Sequence, residues 1–173
     1  MPAFLFPISQ DARDDAPLLI FVEMMHIKEK LHQLCVQYAE QRIRTAQEAI
    51  ISAKESSEGD TKSSAGDKYE TGREMMQQEI TRNEQQLQES KKLLHAMSLI
   101  PARKPYSTAV PGALVVTDKE TFYIAISAGL LEHEGRKYFS ISGSSPIGIK
   151  LKGLQAGDTF SFNQKEFRIL EIF

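Results

Sequence analysis

Carboxylates are concentrated in one polar stretch of the sequence, residues 55–74. Acidic side chains outnumber basic ones there: Glu55, Glu58, Asp60, Asp67, Glu70 and Glu74 stand against Lys62, Lys68 and Arg73. Carboxylate oxygens are ligands that magnesium prefers. Asp67 and Glu70 are spaced i, i+3, so on a helix they would share one face. The stretch is therefore a candidate for holding a divalent cation. The alternative is a solvated polar turn in which Asp67 caps the following helix.

A long amphipathic helix is predicted before this stretch. Apolar residues recur at helical spacing, and neither proline nor glycine interrupts them before Gly59. They are Ile27, Leu31, Leu34, Tyr38, Ala39, Ile43, Ala46, Ile50 and Ala53. The stripe is narrow, which suits packing against a single partner helix better than packing against a broad core. We expect a helix near residues 27–55.

A second helix is predicted after the acidic stretch, near residues 68–98. Its seam residues follow a strict heptad: Met76, Ile80, Leu87, Leu94 and Met97, with polar Asn83 and Ser90 in the two remaining positions. Two long helices joined by a short polar turn must pack antiparallel. The sequence therefore predicts a coiled-coil hairpin roughly 45 Å long, with Leu34 and Leu87 facing the seam and the acidic tip at residues 55–70.

The last third of the chain changes period. Residues 101–111 contain three prolines and predict a stiff linker. Beyond it, β-type runs separated by turn residues predict strands at residues 113–117, 121–126, 137–141, 159–162 and 167–172. Ser145 followed by Pro146 is typical of a helix start, which predicts a short helix up to Leu151. The fold class expected is α+β, with a small antiparallel sheet and one short helix at residues 112–173.

The overall composition limits which functions are expected. The net charge of −2 gives no support for DNA binding by the chain alone. No apolar run approaches the roughly 20 residues needed to cross a bilayer, and the single cysteine, Cys35, fits a reducing cytoplasm. We expect Cys35 to be a buried apolar filler beside the helix seam. The histidines show no metal-ligand spacing and are expected at the surface: His26, His32, His95 and His133.

Residues 1–24 show no periodic pattern and none of the features of a secretory signal. We expect a disordered N-terminal extension, with the alternative of a short ordered arm. Protein that begins at Met25 is expected to fold and bind like the full chain.

A motif after the third predicted strand resembles the C-terminal signature of the bacterial Gre-type transcription factors. The segment from Ser145 to Asp158 matches that signature at unbroken spacing through Ser145, Pro146, Ile147, Leu151, Gly153, Gly157 and Asp158. The order of parts also resembles the family, with an N-terminal hairpin, a linker and a C-terminal domain. The resemblance covers about residues 25–173. The glycines and Asp158 are expected to shape turns.

The resemblance implies a fold, a partner and a role. The C-terminal domain would be FKBP-like and would dock at the rim of the RNA polymerase secondary channel through Ser145, Pro146, Ile147 and Gly148. The hairpin would pass down the channel as an accessory factor, not an enzyme itself, and promote cleavage of backtracked transcripts. The chain would act as a monomer, would meet the nascent RNA 3′ end only through polymerase, and would need no cofactor beyond Mg²⁺ shared with it.

The tip departs from the family pattern. Gly59-Asp60 and the later Arg73-Glu74 match its two ends, but Lys62-Ser63-Ser64-Ala65-Gly66 occupies the place of the second family carboxylate. Asp60 therefore holds the position of one catalytic and magnesium-binding carboxylate, and Asp67 or Glu70 is the candidate for the other. This departure leaves open a non-cleaving channel regulator.

Two further functions are open on the sequence. An FKBP-like prolyl isomerase or chaperone with a coiled-coil arm is disfavoured because such sites use an aromatic-lined pocket, and the chain has no tryptophan. A plain coiled-coil scaffold leaves the C-terminal motif and the acidic tip unexplained.

Overall fold

The computed structural model describes residues 16–59 and 66–173, with side chains at 17–56 and 71–173. It shows an α+β fold, as predicted. Two long helices and a short one, α1 to α3, and six strands, β1 to β6, make up this part of the chain. The helices are α1 (Ala16–Gly59), α2 (Gly66–Ser98) and α3 (Pro146–Leu151). The strands are β1 (Leu114–Thr117), β2 (Thr121–Ala125), β3 (Gly129–His133), β4 (Arg136–Ser142), β5 (Thr159–Phe162) and β6 (Lys165–Ile172).

Helix α1 begins earlier than predicted. It starts at Ala16, so residues 16–24 belong to the helix and not to a separate extension. No pattern indicated this start, because the apolar run from Leu18 to Val22 has no amphipathic period, and these side chains are exposed. Residues 1–15 lie outside the part of the chain that the structure describes. Among the described helices, none has the length and apolar character needed to cross a membrane.

The two long helices pack along each other in opposite directions. The side chain of Arg42 contacts Ser90, whereas Ile50 and Thr81, further from the sheet, line the same groove between the helices. On α2 between residues 73 and 92, the residues below the exposed class are those of the predicted heptad: Met76, Ile80, Asn83, Leu87 and Ser90. The predicted α2 stripe is confirmed, and the seam is narrow because only one residue per turn is covered.

The prediction of an antiparallel sheet was wrong. The strand order is β3-β4-β2-β1-β6-β5, and β2 pairs with β4 in parallel, with Phe122 opposite Phe139. The cause is β3, which the sequence did not indicate because Gly129-Leu-Leu-Glu-His has neither β-branched nor aromatic side chains. Strand β3 runs along the far side of β4 as its antiparallel partner. The chain thus reverses twice between β2 and β4, which leaves these two strands parallel.

The sheet is covered on both faces. Along β2, Phe122 and Ile124 belong to one apolar cluster and Tyr123 to the other, because successive side chains of a strand point to opposite faces. The first cluster joins the sheet to the long helices through Ile27, Leu31, Cys35, Ala39, Met97, Leu114, Tyr123, Ile126, Tyr138 and Phe173. The second lies between the sheet, α3 and the preceding linker, and contains Ala109, Ala113, Val115, Phe122, Ile124, Leu151, Phe160, Phe167 and Ile169. The part of α1 from Ile27 to Ala39 therefore covers one face of the sheet.

The proline-rich linker is packed against that domain. Ala109 is 1% exposed; its N–H donates to the carbonyl of Leu154 at 2.8 Å, and its carbonyl accepts from Gly153 N–H at 2.9 Å. The linker therefore closes one side of the α3 region and is not a free spacer.

Candidate functional site

Only part of the predicted tip site lies within the described residues. Asp60 lies outside the described residues. Asp67 and Glu70 lie in the first turns of α2, which begins at Gly66, and their i, i+3 spacing places them on one face of that helix. Asp67 is thus the second residue of the helix and not a residue that precedes it. In the described part of the chain, no group of three or more His, Cys, Asp or Glu residues is arranged to hold a metal ion.

The second predicted site, at α3, is described in full, and Ser145 fixes where this helix begins. Its backbone is extended, with φ −68° and ψ 157°, as an N-cap requires. Its hydroxyl donates to the carbonyl of Ser142 at 2.6 Å and accepts from the backbone N–H of Gly148 at 3.2 Å. Pro146 follows at the first helical position, where its missing N–H leaves no donor unsatisfied. Ser145 therefore positions α3 on the end of β4.

Gly148 and Ile147 also face inward. Gly148 is buried, and a Cβ atom there would lie 2.1 Å from the carbonyl oxygen of Ser142. Ile147 is half-buried and packs against the second apolar cluster. Of the four residues predicted to bind a partner, Pro146 alone is exposed. Contact of these four residues with a partner stays a prediction, but three of them hold the helix in place.

We expect Gly148→Ala to destabilise the protein by about 1–3 kcal/mol, because α3 must move away from β4 to admit the methyl group. Gly72→Ala is the matched control. Gly72 lies in α2 with no atom within 4 Å of the added Cβ, so alanine there should stabilise by up to about 1 kcal/mol. Urea unfolding of both variants measures the difference. Wild-type stability in Gly148→Ala would contradict the close approach of α3 and β4.

The rest of the motif forms turns, as predicted. Gly153 and Gly157 have φ values of +79° and +95°, a region that glycine adopts without strain. A carboxylate oxygen of Asp158 accepts from the backbone N–H of Gln155 at 2.8 Å. These three residues lead the chain from α3 into β5, and their conformations explain why the motif needs them.

A groove that the sequence did not indicate lies beside α3. It has a volume of about 620 Å³. Its lining is largely apolar and comes from the linker, β2 and α3: Ala109, Val110, Pro111, Ile124, Gly143, Ser144, Gly148, Ile149 and Lys152. Ile149 is 62% exposed at its edge. The alternation Ile147, Ile149, Leu151 gives no helical period from which the exposed member could have been identified.

A buried lysine connects the long helices to the C-terminal domain. Lys28 in α1 is 0% exposed; its ammonium donates to the backbone carbonyl of Lys104 and to that of Phe173 at 3.3 Å. It also lies 4.4 Å from the centre of the Tyr106 ring. Desolvation by burial lowers the pKa of Lys28 from 10.5 to about 8. Helix α1, the linker and the end of β6 are thus held at one point.

Two further polar contacts join α1 to the sheet. Nδ1 of His32 lies 3.1 Å from the hydroxyl of Tyr123, and His32 is half-buried, so it is less exposed than expected. Burial lowers the pKa of His32 and raises that of Tyr123. Cys35 is buried as predicted, but beside the sheet, with Sγ 3.1 Å from Oγ of Ser140.

Burial also raises the pKa of Cys35 to about 11. Its thiol therefore stays protonated at neutral pH, which excludes it as a ready nucleophile.

Comparisons with protein-family models, with curated protein sequences and with solved structures give no match. The site must therefore be interpreted from its own geometry and from the motif that α3 carries.

Proposed function

We propose that this protein is a bacterial, cytoplasmic regulator of RNA polymerase of the Gre type. In this proposal the two long helices form a coiled-coil hairpin that enters the secondary channel, and an FKBP-like C-terminal domain stays at the channel rim. The observation that carries the proposal is the α3 motif. Its cap, buried glycine and turns form one rigid unit at the surface of a domain from which two long helices extend.

The dimensions of the helices support this mode of action. Ala39 is the last α1 residue in the cluster that joins the helices to the sheet, and α1 continues to Gly59. At 1.5 Å per residue, that part of the helix is about 30 Å long. Among the described elements, its buried residues face α2 alone, so the pair buries a single narrow seam. Its distal end is the part suited to reach into a partner.

The chemistry at that end depends on the carboxylates. Octahedral magnesium takes about six oxygen ligands and usually retains waters. Asp60 with Asp67 or Glu70 would fill only a minority of these positions, so the chain fits a site whose other ligands come from polymerase and water. When bound there, a second metal ion stabilises the attacking and leaving oxygens of phosphodiester cleavage. In the sequence, the residues inserted near Ser63 lengthen the segment between the two helices, and a misplacement of about 1 Å can reduce a rate a hundredfold. We therefore expect binding with weaker cleavage than in a standard factor.

The test is a pull-down of core polymerase followed by a cleavage assay on backtracked complexes across a magnesium titration. Asp60→Asn and Asp67→Asn should each reduce cleavage at least about tenfold, as expected when a metal ligand is lost. Glu79→Gln is the control, because Glu79 is exposed on α2 away from the tip. If cleavage occurs and neither asparagine variant reduces it, the carboxylate assignment is wrong. If the protein binds polymerase without promoting cleavage, it is a non-cleaving channel regulator; if it does not bind, the proposal fails.

A further inference from the structure

We infer that the groove beside α3 binds an acidic segment of a partner protein, taking up an apolar side chain while Lys152, at the end of α3, faces a carboxylate of that segment. This inference rests on the proposed function in naming polymerase as the protein that carries the segment. The groove itself is defined by described residues, so its binding chemistry can be tested without polymerase.

The shape of the groove suits an apolar side chain. Its floor is made by Ala109 and Ile124, which are 1% and 2% exposed, and by buried Gly148. Its edges are Pro111 and Ile149, both exposed. A volume of about 620 Å³ falls within the range of sites that enclose small ligands, so it can admit one large apolar side chain together with its neighbours.

The charge beside the groove indicates what kind of segment it binds. Among the described residues, Lys152 is the single charged residue in the lining, and no carboxylate lines the groove. Lys152 caps the C-terminal end of α3 and is exposed. It forms no ion pair with any residue in the described part of the chain. A segment with Asp or Glu beside its apolar side chain would therefore meet a free ammonium group and no repulsion.

Glycine at position 143 keeps the groove open. A Cβ atom there would lie 3.9 Å from Cγ of Pro111, an ordinary van der Waals contact. A larger side chain at this position should enter the groove with no clash at the backbone. Gly143→Leu should therefore block the groove. Lys152→Glu reverses the charge at the groove. Lys165→Glu makes the same charge reversal at an exposed position at the start of β6 and serves as its control.

The experiment is an NMR titration of the ¹⁵N-labelled full chain with two blocked pentapeptides, Glu-Glu-Leu-Glu-Glu and Lys-Lys-Leu-Lys-Lys. We expect the acidic peptide to shift amide signals of groove residues and to bind about tenfold more tightly than the basic one, equivalent to about 1.4 kcal/mol. Gly143→Leu and Lys152→Glu should each weaken its binding at least about fivefold, and Lys165→Glu should change it less than about twofold. Equal response to both peptides, no shifts at the groove, or undiminished binding by Gly143→Leu would overturn the inference.

A parallel measurement with core polymerase separates the two proposals. If Gly143→Leu and Lys152→Glu lose polymerase binding and Lys165→Glu keeps it, polymerase carries the segment. If wild type and both groove variants bind polymerase equally, the proposed function stands and this groove is not its docking site. If the acidic peptide binds but polymerase does not, the groove is a binding site and the proposed function fails.

Discussion

Ile50→Asp is expected to destabilise the protein by about 3–5 kcal/mol, because it places a carboxylate in the apolar seam between the long helices. Ile50 is 8% exposed and lies on the face of α1 that packs on α2. Lys54, one turn further along α1, lines the same groove but is itself exposed, so pairing with it recovers only part of the lost hydration. The loss of helical signal during urea unfolding measures the effect.

The neighbouring residue supplies the control. Ile51 is 57% exposed, so Ile51→Asp makes the same change of side chain on the same helix without burying the charge. We expect it to change stability by less than about 0.5 kcal/mol. Equal losses in the two variants would show that helix propensity, and not the seam, sets the cost. No loss in either would mean that α1 packs on α2 through a different face.

Lys28→Glu is expected to have a comparable effect at the other end of the helices. The substitution replaces a donor by a carboxylate that faces the carbonyl oxygens of Lys104 and Phe173, with an expected loss of about 3–5 kcal/mol. Lys30→Glu changes the same residue type on the exposed side of α1 and should cost less than about 1 kcal/mol. Urea unfolding compares the two variants. A Lys28→Glu protein as stable as Lys30→Glu would contradict the buried position of the ammonium.

The pH dependence of stability gives a second measurement on Lys28. Its pKa is about 8 in the folded protein and 10.5 by its ordinary value. Between these values the unfolded chain binds more protons than the folded one, so the stability that this group contributes rises from pH 8 to pH 10.5. Equivalently, that contribution is lost as pH falls through about 8.

Lys28→Met removes this titration, so the stability of wild type relative to Lys28→Met should increase between pH 7.5 and pH 9.5. Cys35, whose pKa is raised to about 11, acts in the opposite direction above pH 9. Because Cys35 is present in both proteins, its effect cancels in the comparison. A difference that stays constant with pH would show that Lys28 titrates at its ordinary value.

Local signals in the sequence were sufficient for α2, for α1 beyond its first turns and for α3. The heptad from Met76 to Met97 coincides with the buried face of α2, because a narrow apolar stripe can be covered only by packing against another element. Ser145 caps α3 through a contact three residues along the chain. The turns at Gly153 and Gly157 follow from backbone conformations that a single residue determines. Each of these features depends on neighbours within one or two turns of the chain.

The features decided by the tertiary structure depend on residues far apart in sequence. The parallel pairing of β2 with β4 follows from β3, a strand with weak intrinsic preference that pairing with β4 stabilises. The burial of Lys28 and Cys35 comes from contacts with Phe173 and Ser140, 145 and 105 residues away. Period alone cannot show which face of α1 meets the sheet.

For the candidate site too, some features depend on short segments and others on contacts between distant residues. The acidic composition of the tip and the residues of the α3 motif could be identified without the fold, since both are properties of short segments. Only the tertiary structure showed that Ile147 and Gly148 face inward, that Ile149 and Lys152 face outward, and that the linker completes a groove beside them. The physical reason is that exposure and concavity arise where α3, β2 and the linker meet, and no single segment contains that information.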